Sequence, residues 1–456
     1  MGKIERGQKA FHCSRMPYPS PVRVLRKIFI PQTLHRENCL QQLKGRFQMI
    51  NMLEEYAKLL IEVGLNVQKG QYVVINAPVS CAEFARLCVK SAYEAGAKQV
   101  IMQWNDDFVT RQFYLNADDE VFDKVFQWDA DRNLGQAKLG AARLSISASD
   151  PENLKGIDPD RLDRKGKAEG EANREYHDMI MNSEFPWCVA SIPVPSWAKK
   201  VFPELPEDEA MSRLWDEIFK AVRINATGGA VERWRQHCDY LKEKREKLNE
   251  YNFKFLHYTN SLGTDLMVEL PENHIWMAGS EFSKNGIEFV ANMPTEEVFT
   301  APKLDGVNGK VVASKPLVES GNVIDGFYMV LKDGVITEIH AEKGEEFLKQ
   351  AISVDDGAKR FGEVALVQYD SPISNSGVLF YNTLFDENAS CHFAFGAAYP
   401  CVKDGDKMNR EELSAAGLNS SIQHCDFMVG TNDLSIVGIT HDGKKIPVFA
   451  NGNFVI

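Results

Sequence analysis

Four short stretches carry the residue types that could do chemistry. "HCDFMVG" (424–430) sets His424 and Asp426 two residues apart in a β-like run. Strand side chains alternate, so both should project from one face. "NMPTEEVFTAP" offers Glu296 and Glu297, "FGEVALVQYD" offers Glu363, and "NASCHFAFGAAYP" offers His392. Their aliphatic and aromatic neighbours imply a protected setting. There a carboxylate must neutralise, pair or bind a metal. Imidazole with carboxylate suits zinc, cobalt or manganese better than calcium. Two such ions bridged by a carboxylate would make a co-catalytic hydrolase centre.

Each feature also has a plainer reading. A glutamate beside a Pro-Thr turn is commonly a cap or surface acid. A histidine in an apolar run is commonly a hydrogen-bonded core residue. An HxD pair alone is more often a structural His–Asp hydrogen bond. No HExxH motif concentrates the signal, and spacing alone leaves the metal site open.

These residues need elements to hold them. From Met52 onward helices and strands alternate: "MLEEYAKLLIEVGL" is helical, "YVVINAP" a buried strand, "AEFARLCVKSAYEAGA" a helix and "QVIMQW" a strand. "ARLSISAS", a charged helical stretch near 158–181 and "WCVASIPV" continue the pattern, and helices near 207–223 and 229–250 end it. The reading is an α/β N-terminal domain with a largely parallel sheet over 52–250. It carries no GxGxxG, GxxxxGK[ST] or GxSxG, hence no nucleotide loop or nucleophile elbow. After about residue 252 short β-like runs punctuated by Gly, Asn and Asp predict a β-rich α+β C-terminal catalytic domain over 251–456. It includes a hairpin turning at Lys332-Asp333-Gly334 and one helix near 344–353.

Bulk properties limit the partners. A net charge of −12 argues against nucleic acid or an anionic membrane surface. No apolar run approaches the roughly 18–20 residues that span a bilayer. Nine scattered cysteines without a CxxC pair suit reduced thiols and a cytoplasmic location. Residues 1–51 differ, with ten lysines and arginines against two acids and no sustained period. They read as an extension ahead of a start near Met49 or Met52, outside the fold. An organelle transit peptide is the alternative.

The blocks "NMPTEEVFTAP", "FGEVALV", "YNTLFDENASCHFAFGAAYP" and "HCDFMVG", preceded by "LGTDLMVELPENHIWMAGS", resemble the signature blocks of the thermophilic aminopeptidase T family of metallo-aminopeptidases. The resemblance runs in order from about Met52 to Ile456. It implies a two-domain aminopeptidase with two divalent ions (Zn, Co or Mn/Mg) in the C-terminal domain. By the same resemblance the ligands would be Glu297, Glu363, His392, His424 and Asp426, with Glu297 preferred to Glu296. Tyr399 matches a tyrosine of the family's site and could donate to the oxyanion, and Glu297 or Glu363, whichever keeps a free oxygen, would carry a proton. Short peptides would be the substrates and a homodimer the assembly. Two alternatives keep the same scaffold: an inactive peptide- or metal-binding protein, or an amidase acting on another amide.

Overall fold

In the computed structural model residues 36–319 and 322–456 are described, and the chain divides into two units, Met1–Met49 and Ile50–Ile456. Most of the expected leader lies outside the described residues. Helix Arg36–Leu59, however, begins well before Met52, from which the helical pattern was read.

The α/β half is built on a parallel sheet. Strands Trp187–Ser191, Ala142–Ser147, Tyr72–Pro78 and Gln99–Asn105 lie side by side in that order. Val73, Val74, Ile75 and Ala77 of the inner strand Tyr72–Pro78 are buried, as a strand covered on both faces requires. Helix Ala82–Glu94 covers it through Phe84, Ala85, Cys88 and Ala92. Strand Asn292–Met293, from well beyond residue 250, joins this sheet's edge parallel to Trp187–Ser191. Val189 N–H donating to Ala291 O (2.7 Å) and Val290 N–H to Gly64 O (2.9 Å) hold it there. The segment leading to Glu297 is thereby tied to the α/β half.

The second half is antiparallel, as expected from its texture. A five-stranded sheet runs in the order His424–Met428, His392–Gly396, Phe361–Leu366, Val298–Thr300, Met277–Ala278. A larger nine-stranded sheet contains Phe255–Thr259, Asp265–Glu269 and the hairpin Asn322–Lys332/Val335–Lys343. That hairpin turns at Asp333 and Gly334, both at positive φ (50° and 75°), as a two-residue type I′-like turn demands. Between the sheets lies an aromatic core in which Tyr258 meets Phe393 at 5.1 Å and Phe327 meets Phe427 at 5.7 Å. The smaller sheet therefore buries one face and turns the other to a cleft.

Candidate metal centre

Alternation along three neighbouring strands builds the centre. In His392–Gly396 the core face receives Phe393 and Phe395, leaving His392 and Ala394 on the other. In His424–Met428 Cys425 and Phe427 face the core, leaving His424 and Asp426 on the other. Strand Phe361–Leu366 would carry Glu363 on the same face as Phe361, but a bulge between them resets the alternation. Glu363 then pairs with Ala394, which pairs with Asp426. The row acid–alanine–acid leaves space above the Ala394 methyl group, flanked by carboxylates.

Side chains from four segments converge there. Ligand atoms of Glu297, Glu363 and His392 lie within 4.8 Å of one another, and so do those of Glu363, His424 and Asp426. His392 Nε2 is 3.2 Å from Glu297 Oε2 and 3.4 Å from Glu363 Oε1. His424 Nε2 is 3.4 Å from Glu363 Oε2 and 3.3 Å from Asp426 Oδ1. Glu363 is thus common to both groups, one oxygen toward each imidazole. The other nitrogens are oriented by backbone: His392 Nδ1 toward Ser390 O (3.1 Å) and His424 Nδ1 toward Ala397 O (2.7 Å). Each bond leaves Nε2 turned toward the carboxylates, where it could ligate a metal, the arrangement metal-binding imidazoles usually adopt. Tyr399 packs its ring edge-on to His424, centroids 5.5 Å apart.

Glu296 does not join this cluster. Its carboxylate accepts two bonds from Arg223, Nη1 to Oε1 at 2.6 Å and Nη2 to Oε2 at 2.9 Å. Glu387 does join it, and sequence reasoning missed it. It lines the cleft, and its electrostatic neighbours are Asp426 and Glu297. It falls in a short helical turn (Glu387–Ala389) with no periodicity to single it out; its place five residues before His392 was the only available signal.

The charges are unevenly matched. Four carboxylates face two imidazoles, so even with both rings protonated the acids are in excess. Burial alone would lower His424, but the close carboxylates of Asp426 and Glu363 outweigh it and raise the ring to about 11. Burial opposes ionisation of Glu363 too, yet the bonds from His392 and His424 hold it down at about 2. Burial, then the nearby charge of Asp426 and Glu297, pushes Glu387 well above the usual carboxylate range. Tyr399 is pushed up by burial and by Glu363 and Asp426, which keeps its hydroxyl a donor.

This donor set fits a divalent cation. Asp426 Oδ1 is buried and accepts no hydrogen bond, since His424 approaches it as a charge contact without the alignment of a bond. Carboxylate oxygen with neutral imidazole nitrogen is the ligand chemistry of zinc, cobalt and manganese. A cation would supply the partner that Asp426 lacks and relieve the repulsion raising Glu387. The centre opens on a cleft of about 1000 Å³ whose lining includes Met181, Trp187, Trp276, Phe299 and Tyr399.

Comparison with known proteins decides the family. The model of the thermophilic metalloproteases (M29) matches residues 49–454. The chain belongs to the M29 metalloprotease family. Among similar M29 relatives, aminopeptidase AmpS of Bacillus subtilis (strain 168) is 49% identical over 403 residues, 88% of this chain and 98% of that protein. Aminopeptidase T of Thermus aquaticus is 40% identical, over 89% of this chain and 98% of its own. The solved structure of wild-type AmpT from Thermus thermophilus superposes with a TM-score of 0.83 at 38% identity, covering 89% of this chain and 99% of that one. The M29 match begins at residue 49, leaving the basic segment outside it.

Proposed function

We propose that this chain is a metal-dependent aminopeptidase whose centre holds two divalent ions and releases amino-terminal residues from short peptides. The observation that carries the reading is the convergence of Glu297, Glu363, His392, His424 and Asp426 on one sheet face at the floor of a cleft. Glu297 and His392 would serve one ion, His424 and Asp426 the other, and Glu363 both, with Glu387 adding a carboxylate beside Asp426. When bound, the ions supply Lewis acidity and a water acidified to near neutrality.

The chain's own residues do the rest. Glu363 engages both imidazoles and has no oxygen to spare, whereas Glu297 meets His392 through Oε2 alone. Glu297 Oε1 is therefore the atom we assign to accept the proton of the attacking water and return it to the departing amine. The Tyr399 hydroxyl, kept protonated, donates to the oxygen that becomes negative at the scissile carbonyl. A free α-amino group needs a carboxylate or metal anchor that an acylated amine cannot use, and this requirement would make the action exopeptidic. Trp187 and Trp276 are among the residues lining the cleft, whose volume of about 1000 Å³ suits short peptides.

A homodimer and a cytoplasmic location complete the proposal. Among the described residues Cys81, Cys88, Cys188, Cys238, Cys391 and Cys401 form no disulfide, which supports a reducing compartment. Among the described residues no helix is long and apolar enough to cross a membrane. The test compares an aminoacyl-p-nitroanilide with its N-acetylated form, before and after chelation and Co²⁺ or Zn²⁺ return. Cleavage of the free amine alone, lost on chelation and restored by metal, is expected. Equal cleavage of both substrates would point to a general amidase.

A further inference from the structure

Residues 295–297 are held from three sides just before Glu297 enters the cleft. His237 Nε2–H donates to Thr295 O at 2.8 Å. Glu296 N–H donates to Asn388 Oδ1 at 2.7 Å, and Asn388 Nδ2 donates to Leu384 O at 3.0 Å. The Glu296 carboxylate takes both prongs of the Arg223 guanidinium. Side-chain exposure is 2% for Glu296 and 18% for Arg223, so the pair is largely withdrawn from water.

Arg223 is itself fixed. It follows helix Glu207–Ala221 in a left-handed conformation, φ 55°, that costs a non-glycine residue energy. Its carbonyl accepts from Arg233 Nε at 2.7 Å, and its guanidinium lies 5.4 Å from the centre of the Trp234 ring. A buried ion pair is a poor way to gain stability, because desolvation consumes most of the attraction. A strained arginine maintaining such a pair calls for a different purpose.

Geometry supplies one. Glu296 is held by Arg223 while the adjacent Glu297 reaches His392 in the cleft, so anchoring the first carboxylate fixes the peptide from which the second is aimed. Asn388 follows Glu387 and precedes His392 by four residues. One amide therefore ties the segment bearing Glu297 to the segment bearing Glu387 and His392. We infer that Arg223, Glu296 and Asn388 are positioning residues: they fix the Glu296–Glu297 peptide against the Glu387–His392 segment and thereby set the affinity of the centre for a divalent cation. None of the three lines the cleft. The inference rests on the metal-centre reading above.

The experiment titrates Co²⁺ into metal-stripped full-length protein by calorimetry and records melting temperature, kcat and KM on the same samples. Glu296→Gln removes the charge, and Arg223→Lys keeps charge but loses the two-pronged geometry. Both variants are expected to bind Co²⁺ about 10–100-fold more weakly, the usual effect of disturbing a ligand's support. Their kcat should fall at limiting Co²⁺ and recover toward the parent at excess Co²⁺, with KM for peptide little changed. Folded variants with parental Co²⁺ affinity would overturn the inference, even at a lowered melting temperature. If a single variant does not fold, the double variant Arg223→Met, Glu296→Met removes both buried charges together and gives the same reading. A parental protein that binds no Co²⁺ would refute the metal centre itself, an outcome distinct from failure of the positioning role.

Discussion

Glu363 sits between two imidazoles, Oε1 toward His392 and Oε2 toward His424, so each ring depends on the same carboxylate. His392 is the more deeply buried of the two rings and touches two acids. His392→Ala should lower kcat/KM by on the order of 10³-fold or more, since several kcal/mol of charge stabilisation would be lost. Circular dichroism should remain that of the parent. Parental turnover in this variant would exclude His392 as a ligand. A second prediction concerns a histidine away from the centre. Burial lowers the pKa of His274, the bond to Pro271 O partly offsets this, and the charge of His441 adds to the lowering. The folded protein thus binds this proton less readily than the unfolded chain, whose imidazoles titrate near ~6.5. The stabilising contribution is present above that value and is lost as pH falls below it, at up to ~1.4 kcal/mol per pH unit. His274→Asn keeps a donor for Pro271 O (2.8 Å in the parent) and should lose less stability between pH 7 and pH 5 in urea melts. Identical slopes would contradict this. The sequence was informative for pairs that share a strand: His424 and Asp426 follow from period two alone. It was uninformative where the deciding partner is remote. Spacing could not separate Glu296 from Glu297, because Arg223, which captures Glu296, lies in another half of the chain.

At the scale of elements, two glycines let three strands lie close enough for their acids and imidazoles to meet. Gly362 occupies the bulge that brings Glu363 to the cleft face, and a Cβ there would lie 2.2 Å from Ala397 O. Gly396, opposite His424, has φ 111°, and a Cβ there would lie 2.0 Å from Gln423 O. Gly396→Ala should therefore cost more than the ~1–3 kcal/mol of backbone strain alone and weaken metal binding by displacing His424. Gly377→Ala is the control: it has φ 65° but nothing within 4 Å, so it should show the strain without the displacement. Guanidinium melts of both variants check this, and equal losses would contradict the role given to Gly396. Apolar runs made these strands visible in the sequence, as in "HFAFG" and "FGEVAL". Their order across the sheet was not, because antiparallel pairing joins segments separated by long loops. The bulge was equally hidden, since it depends on which residue of the neighbouring strand lies opposite.

At the scale of the molecule, the change from alternating helix and strand to short β runs marked the passage from parallel to antiparallel sheet. It did not reveal that Asn292–Met293 crosses back to the first sheet. Two residues are too short a strand to leave a periodic trace, yet this crossing ties the approach to Glu297 to the α/β half. Removing residues 1–48 should leave turnover unchanged, because the M29 match begins at residue 49 and every site residue lies in the unit Ile50–Ile456. Steady-state kinetics of the shortened chain test this, and a large fall in kcat would assign the basic segment to the working enzyme. The most direct test of the whole reading is the stoichiometry of Co²⁺ bound to the metal-stripped protein, set beside that of Glu363→Ala. Two equivalents per chain are expected for the parent, with both sites impaired by the single substitution because Glu363 is common to them. Undiminished binding in Glu363→Ala, or none in the parent, would contradict it.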